Sequence, residues 1–216
     1  MTRCDTTAAP VLVTGFAPFA GQDLNAAWEA VRLLPDAVGG RPIVCRQVPC
    51  VFGESGDLVC ELVDELVPSC VVCVGQAAGR GVLTVEEVAV NRMTASIPDE
   101  AGRQPHREPV VADGPAAYLS TMPLDACVAA ARACGVHADV SQTAGRYVCN
   151  QLMYRVLDGL ARRGRADVPA GFVHVPLVPS QAGTRPSMDA RLCASGLLAM
   201  LEACLGAGGA PAAGLR

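Results

Sequence analysis

Short apolar runs alternate along this chain with longer stretches in which apolar residues return every third or fourth position. "VLVT" at 11–14 predicts a strand that ends at Gly15, followed by the loop "FAPFAGQDL". A helix opened by Asn25 as N-cap comes next, with Trp28, Val31 and Leu34 on related faces. "IVCRQV" at 43–48 predicts a second strand. In "GDLVCELVDELV", Leu58, Leu62 and Leu66 fall four apart with Val59 and Val63 beside them, which is the apolar stripe of a helix. "CVVCV" at 70–74 predicts a buried strand, and "LTVEEVAVN" at 83–91 alternates into a further one. The polar, proline-bearing segment from 92 to about 117 is expected to be the longest loop region. The second half resumes the rhythm with a helix near 124–134 closed by Gly135, the strand "ADVS" at 138–141, a helix beginning at Cys149, the strand "FVHV" at 172–175, and a final helix from about 187 to 204. Strands alternating with helices predict an α/β fold, an α/β/α layer arrangement around a mainly parallel, mixed and twisted sheet. No linker divides the 216 residues, so a single domain over 1–205 is expected. The segment 206–216, "GAGGAPAAGLR", has too few large apolar groups to pack and is expected to be a disordered tail.

Composition narrows the chemistry. The chain is 51% apolar with a net charge of −4 spread along its length, an ordinary balance for a soluble enzyme. All 17 basic residues are Arg, so Schiff-base and P-loop lysine chemistry are excluded. Only "RRGR" at 162–165 clusters Arg, without interleaved aromatics, and reads as a solvated helix end; no nucleic-acid partner is expected. Eleven cysteines make an odd number, with no repeating framework, which points to a reducing cytosol. A signal peptide is not expected, because Asp5 follows soon after Arg3 and Pro10 and Pro18 bracket the only short apolar stretch near the N-terminus. The longest apolar run near the C-terminus is broken by Glu202, so no membrane span is expected either. The reading is a soluble, cytoplasmic protein.

Several residues could carry chemistry. In "AGRYVCNQLMYRVL", Cys149 stands where a helix begins, and unpaired backbone N–H groups with the positive helix end favour thiolate over thiol. The pair in "CVVC" has redox spacing, but residues three apart on a strand face opposite ways, which favours simple packing. Only three histidines exist and none pairs with a cysteine at finger spacing, so no metal is expected. His106 lies in a polar loop and His137 precedes a strand; by elimination His174, near the C-terminal end of its strand, is the candidate base. A lone strand histidine is, however, more often a hydrogen-bonded structural residue. Alternation puts Phe172, His174 and Pro176 on one face and Val173, Val175 and Leu177 on the other. It also forces one of Glu86 and Glu87 inward, where a carboxylate could orient a histidine; two exposed carboxylates at a strand start would be the plainer outcome. "TGFAPFAG" lacks either nucleotide glycine fingerprint. Its Phe16 and Phe19 are either core residues of a loop or an apolar wall beside a ligand site at the strand's C-terminal end.

Taken together, five ordered segments resemble pyroglutamyl peptidase type I, the pyrrolidone-carboxylate peptidase family of cysteine peptidases: "VLVTGFAPFAG", "GQAAGRGVLTVEEVAVN", "IPDEAG", "SQTAGRYVCN", and "GFVHVPLVPSQ" with "PSM". The resemblance covers nearly the whole chain to about residue 204 and implies a phosphorylase/hydrolase-like fold. It further implies nucleophile Cys149, base His174, orienting Glu86, and a pyroglutamyl pocket including Phe16, Phe19 and Gln76. The implied substrates are peptides with N-terminal pyroglutamate, no cofactor is needed, and the assembly is a homo-oligomer, a dimer or a dimer-built tetramer. The chain departs from the family pattern in four places. Ala20 replaces a second loop glycine, "NAAW" replaces Asn-Pro-Ser/Thr, and Glu87 and Ser96 stand where basic residues are usual. A catalytically impaired pyroglutamyl-peptide-binding paralogue and a nucleoside phosphorylase-like enzyme of similar architecture are the alternative readings.

Overall fold

The computed structural model describes residues 8–207. Its centre is set by strands that are apolar on both faces. In β1 (Val11–Phe16), β4 (Cys70–Gln76) and β11 (Ala170–Val175), every residue except Gln76 is buried. Burial on both sides requires a covering layer on each, which is how parallel strands are accommodated. With β2 (Ala37–Val38), β3 (Arg41–Val48), β5 (Leu83–Glu86) and β10 (Ala138–Ser141) these form a seven-stranded sheet in the order β10, β5, β11, β4, β1, β3, β2. β3, β1, β4 and β11 run parallel; β5 and β10 are parallel to each other but antiparallel to β11, and β2 is antiparallel to β3. The sheet is therefore mixed, as expected.

Helices α1 (Ala26–Val31), α3 (Leu124–Ala133) and α6 (Ala190–Ala207) cover one face; α2 (Glu54–Leu66) and α4 (Val148–Arg162) cover the other. The period-two rule sorts the strand residues between them. Cys70, Val72 and Val74 join the core under α1, α3 and α6, whereas Val71 and Cys73 join the core under α2 and α4. Cys70 and Cys73 thus face opposite ways, which removes "CVVC" as a redox pair. In β11, Val173 and Val175 go to the first core and Phe172 to the second.

The structure differs from expectation in several places. The first helix stops at Val31, short of Leu34, because a residue preceding proline is pushed out of helical backbone and Pro35 follows. The expected strand over 83–91 breaks at Glu87. β5 stays in the main sheet, while β6 (Val88–Val90) pairs with β9 (Ala117–Leu119). The expected loop from 92 onward contains β7 (Met93–Thr94), paired with β8 (His106–Glu108). Strands this short carry no periodicity; side chains fix them instead. Asn91 donates to the carbonyls of Val111 (2.8 Å) and Gly114 (3.1 Å) and accepts from the amides of Val110 and Val111. The buried Asp99 carboxylate accepts from the amides of Phe52, Ala101 and Arg103. A single helical turn, α5 (Pro179–Ala182), was not expected, and α6 begins at Ala190 rather than near 187. It reaches Ala207, two residues into the expected tail; the rest of that expectation, 208–216, lies outside the described residues. Ala20, where glycine is usual, has φ 53°, a left-handed conformation that favours glycine.

The start of α4 is pinned by Asn150, which has no exposed surface. Its carbonyl oxygen accepts from the Val90 amide (2.9 Å), and its amide donates to the carbonyls of Val90 (2.9 Å) and Arg92 (3.1 Å). Asn150→Ala leaves these three backbone groups without their partner and should destabilise the fold by about 2–4 kcal/mol, measured as a lowered urea midpoint at unchanged m-value. A midpoint within error of the parent protein would show that β6 does not depend on this residue.

Candidate active site

The C-terminal ends of β1, β4 and β11 open into one cavity of about 330 Å³, whose lining includes Phe16, Phe19, Gln76, Arg80, Cys149 and His174. This is the end of an open α/β sheet at which ligands are generally bound. Hollows of about 440 and 540 Å³ exist elsewhere, lined largely by Arg, Asp and Asn, but neither places a histidine beside a cysteine.

Sheet register explains how these side chains meet. His174 is paired with Gly75 of β4 and with Thr84 of β5. Because β5 runs antiparallel to β11, Glu86 lies two residues along from Thr84 on the same face, which brings its carboxylate to the imidazole. His174 Nδ1 and Glu86 Oε1 are 2.7 Å apart, with Glu86 fully buried and His174 nearly so. Glu87 is part-exposed and belongs to the turn out of the sheet; alternation thus separates the two carboxylates as expected. Gly75 makes room for the Cys149 sulfur. A Cβ on it would fall 2.8 Å from Phe172 Cζ and 3.1 Å from Cys149 Sγ, so the bare backbone lets the start of α4 settle against the end of β4. Cys149 and His174 line the same cavity without a hydrogen bond between them among the described residues.

An ionised carboxylate can only accept, so the Glu86 contact assigns the imidazole proton to Nδ1 and leaves Nε2 with a free lone pair. The same Oε1 also accepts from Arg80 NH1 at 2.6 Å, while Oε2 is buried with no partner among the described residues. Burial pushes the His174 pKa below its ordinary value; the Glu86 contact opposes this and the Arg80 charge adds to it. For Cys149 the outcome reverses the expectation of a stabilised thiolate. Burial pushes the thiol pKa up, nearby Cys50 and Glu86 push the same way, and the backbone N–H at the helix start and Arg80 only partly offset them. The residue keeps some exposed surface, but desolvation of the sulfur outweighs the helix terminus. A neutral thiol therefore faces a neutral imidazole, and attack requires the proton to move.

All three pocket residues expected from the resemblance line the cavity. Phe16 is buried at the end of β1 and Phe19 is half-buried in the loop after it. Phe172 lies between Phe16 and His174, with ring centroids at 6.3 and 4.8 Å respectively. Gln76 Oε1 accepts from the Ala26 amide (2.9 Å) and from Gln181 Nε2 (3.3 Å), which leaves its own amide as the free donor group. Sequence reading missed Arg80, Cys50, Asn25 and Tyr147 as lining residues and Gln181 as a support for Gln76. Arg80, Tyr147 and Gln181 had a detectable signal, since Arg80 lies in the glycine-containing link directly after a buried strand and the other two lie within the quoted motifs; Cys50 has no pattern of its own, and Asn25 was read only as a helix cap. Ser96 is exposed, and neither it nor Glu87 lines the cavity.

The chain matches the family model described as pyroglutamyl peptidase over residues 9–207. It is 50% identical over 177 residues to a pyrrolidone-carboxylate peptidase of Escherichia fergusonii, covering 82% of each protein. It is 47% identical over 199 residues to the one of Streptomyces coelicolor, covering 89% of this chain and 90% of the relative. Among solved structures, pyroglutamyl peptidase I of Bacillus amyloliquefaciens superposes with a TM-score of 0.88 at 38% identity, covering 92% of this chain and 97% of that one. A mutant pyrrolidone carboxyl peptidase from P. furiosus gives 0.87 at 33% identity, covering 91% and 98%.

The Gly75 approach yields a direct test. Gly75→Ala puts a methyl group against Phe172 and the Cys149 sulfur, and should slow thiol alkylation at Cys149 and lower catalytic turnover by about tenfold or more. Unchanged alkylation and turnover would mean that the thiol does not occupy this position.

Proposed function

The chain belongs to the pyroglutamyl peptidase family of cysteine peptidases, and from that premise we propose that Cys149, His174 and Glu86 carry out the removal of N-terminal pyroglutamate. The observation that bears most weight is the 2.7 Å contact between His174 Nδ1 and the fully buried Glu86 within the cavity that Cys149 lines. His174 Nε2 takes the Cys149 proton as sulfur attacks the pyroglutamyl carbonyl. Sulfur must be deprotonated in the same step, because burial keeps the resting thiol neutral. No side chain caps the N-terminus of α4, so its first N–H groups are free to bind the oxyanion of the tetrahedral intermediate. His174 then protonates the leaving amine, and a water activated by the same imidazole hydrolyses the thioester. Throughout, Glu86 holds the ring and stabilises its charged form. No metal or organic cofactor enters these steps.

The pocket suits a neutral lactam. Pyroglutamate has no α-ammonium, and flat apolar walls from Phe16 and Phe19 fit its ring. The Gln76 amide, held by its own carbonyl contacts, is oriented to meet a lactam oxygen. The catalytic unit is the segment matched by the family model, 9–207, which ends with α6 two residues past the expected boundary. The protein acts in the cytoplasm as a dimer or dimer-built tetramer; the family relationship supports the assembly. Ten free cysteines, and no helix long and apolar enough to cross a membrane among the described residues, support the location.

Glu86→Gln should lower kcat by about 100-fold or more while changing KM by less than about threefold, whereas Glu87→Gln should have little effect on either. Comparable losses in the two variants would remove Glu86 from its role. Cys149→Ser should abolish turnover, and alkylation should abolish it in step with modification of Cys149 rather than of the exposed Cys134. Loss of activity tracking any other cysteine in peptide maps would overturn the nucleophile. On substrates, a prolyl amide lacks the lactam carbonyl and carries a charged amine, so kcat/KM should fall by roughly 10⁴-fold relative to the pyroglutamyl amide. Gln76→Leu should narrow that gap, mainly by losing the correct substrate; equal cleavage of both amides by the unsubstituted protein would refute the pocket.

A further inference from the structure

Arg80 is placed unlike any other described arginine. It sits in the short link between β4 and β5, its side chain is 30% exposed, and it lines the cavity. Its NH1 donates to Glu86 Oε1 at 2.6 Å and to Thr84 Oγ1, and its NH2 reaches the Thr143 carbonyl at 3.4 Å. One planar guanidinium therefore joins the buried carboxylate of β5 to the segment that leads into α4 and Cys149. Only Oε1 of Glu86 is partnered, and both of its donors, His174 and Arg80, share it.

We propose that Arg80 is a positioning residue of the peptidase: it holds the Glu86 carboxylate aimed at His174, and it ties that carboxylate to the loop that delivers Cys149. This rests on the assignment of Cys149, His174 and Glu86 made above. The physical need is plain. A carboxylate with no exposed surface needs strong donors to replace its lost hydration, and a neutral imidazole supplies only one. The other titratable groups around the pair are Cys149, Cys50 and Tyr147, none of them cationic, so Arg80 is the one cation lining this cavity among the described residues. A planar fork that spans three acceptors also sets direction, which an ammonium on a flexible stem would do less well.

The sign of the pH effect follows. The Arg80 charge helps hold the His174 pKa down, so removing that charge raises the affinity of His174 for a proton. Activity needs the neutral imidazole as base, so the acid limb of kcat/KM must move to higher pH. Arg80 is partly exposed, so a small cation can reach the vacated space.

The experiment compares the unsubstituted enzyme with Arg80→Ala, Arg80→Met and Arg80→Lys on a pyroglutamyl fluorogenic amide across pH, with iodoacetamide modification of Cys149 followed alongside. Arg80→Met should lower kcat about tenfold or more and raise the acid limb by about one pH unit, with KM much less changed. Arg80→Lys should restore the limb and only part of kcat, and millimolar guanidinium should recover activity in Arg80→Ala. Circular dichroism and the thermal midpoint identify a variant that has merely unfolded, and guanidinium recovery then decides on the folded fraction. A folded Arg80→Met with an unmoved acid limb, or an Arg80→Ala that guanidinium does not rescue, overturns the role of Arg80 alone. An unsubstituted protein that is inactive on the amide, or active after Cys149 is modified, overturns the underlying assignment as well.

Discussion

A carboxylate without exposed surface must find donors that replace its lost hydration, and Glu86 is the residue on which this fold imposes that requirement. Its side chain meets His174 at 2.7 Å and Arg80 at 2.6 Å through a single oxygen. Satisfying it demands that three separate strand ends arrive together. β11 must bring the imidazole, β5 must run against β11 so that Glu86 lands on the imidazole's face, and the link from β4 must return at once to the same end of the sheet. The reversal of β5 meets all three conditions. After Gln76 the chain has only residues 77–82 before β5 begins at Leu83, too few for the helical crossover that a parallel strand would need. A reversed strand needs no crossover, and the short link carries Arg80 into the site.

The thiol shows how competing electrostatic effects are decided by magnitude. A helix start favours the thiolate, and the backbone N–H at Cys149 does act that way, yet burial dominates and the pKa rises. Histidine responds in the complementary direction: burial lowers its pKa, so a neutral imidazole stands beside a neutral thiol. A resting ion pair would be costly to hold in such an enclosed place, and two neutral partners that exchange a proton during attack avoid that cost until substrate fills the cavity. The pyroglutamyl ring, which has no charge of its own, is the kind of acyl group such a site can enclose.

Most of the other described cysteines are buried as small apolar residues, with Cys134 exposed. Cys127 and Cys204 meet across α3 and α6 with sulfurs 3.6 Å apart, and both are fully buried. Burial likewise pushes Cys73 and Cys193 up to about 12. The ten described cysteines are all free. What distinguishes Cys149 is therefore not acidity. It is a place in a cavity, beside a histidine that another strand supplies.

Local pattern was enough for the elements whose burial repeats over several residues: β1, β4, β11, α2, α3 and α4 all occur where periodicity put them, because continuous or amphipathic burial leaves a regular trace. It was enough, too, to send Cys70 and Cys73 to opposite faces and to separate Glu86 from Glu87, since side chains on a strand can only alternate. The five motifs named the family, and with it the residues proposed as nucleophile, base and orienting carboxylate. What the chain's pattern could not carry were features that exist only between segments. The short strands β6 to β9 are held by Asn91, Asp99 and Asn150 rather than by any period. The break at Glu87 and the reversal of β5 depend on which strand is adjacent. The environment of Cys149, which raises its pKa against the local helix effect, and the contact of Arg80 with a carboxylate six positions away are decided by desolvation and packing. Both depend on atoms brought from far along the chain, and so only the tertiary structure sets them.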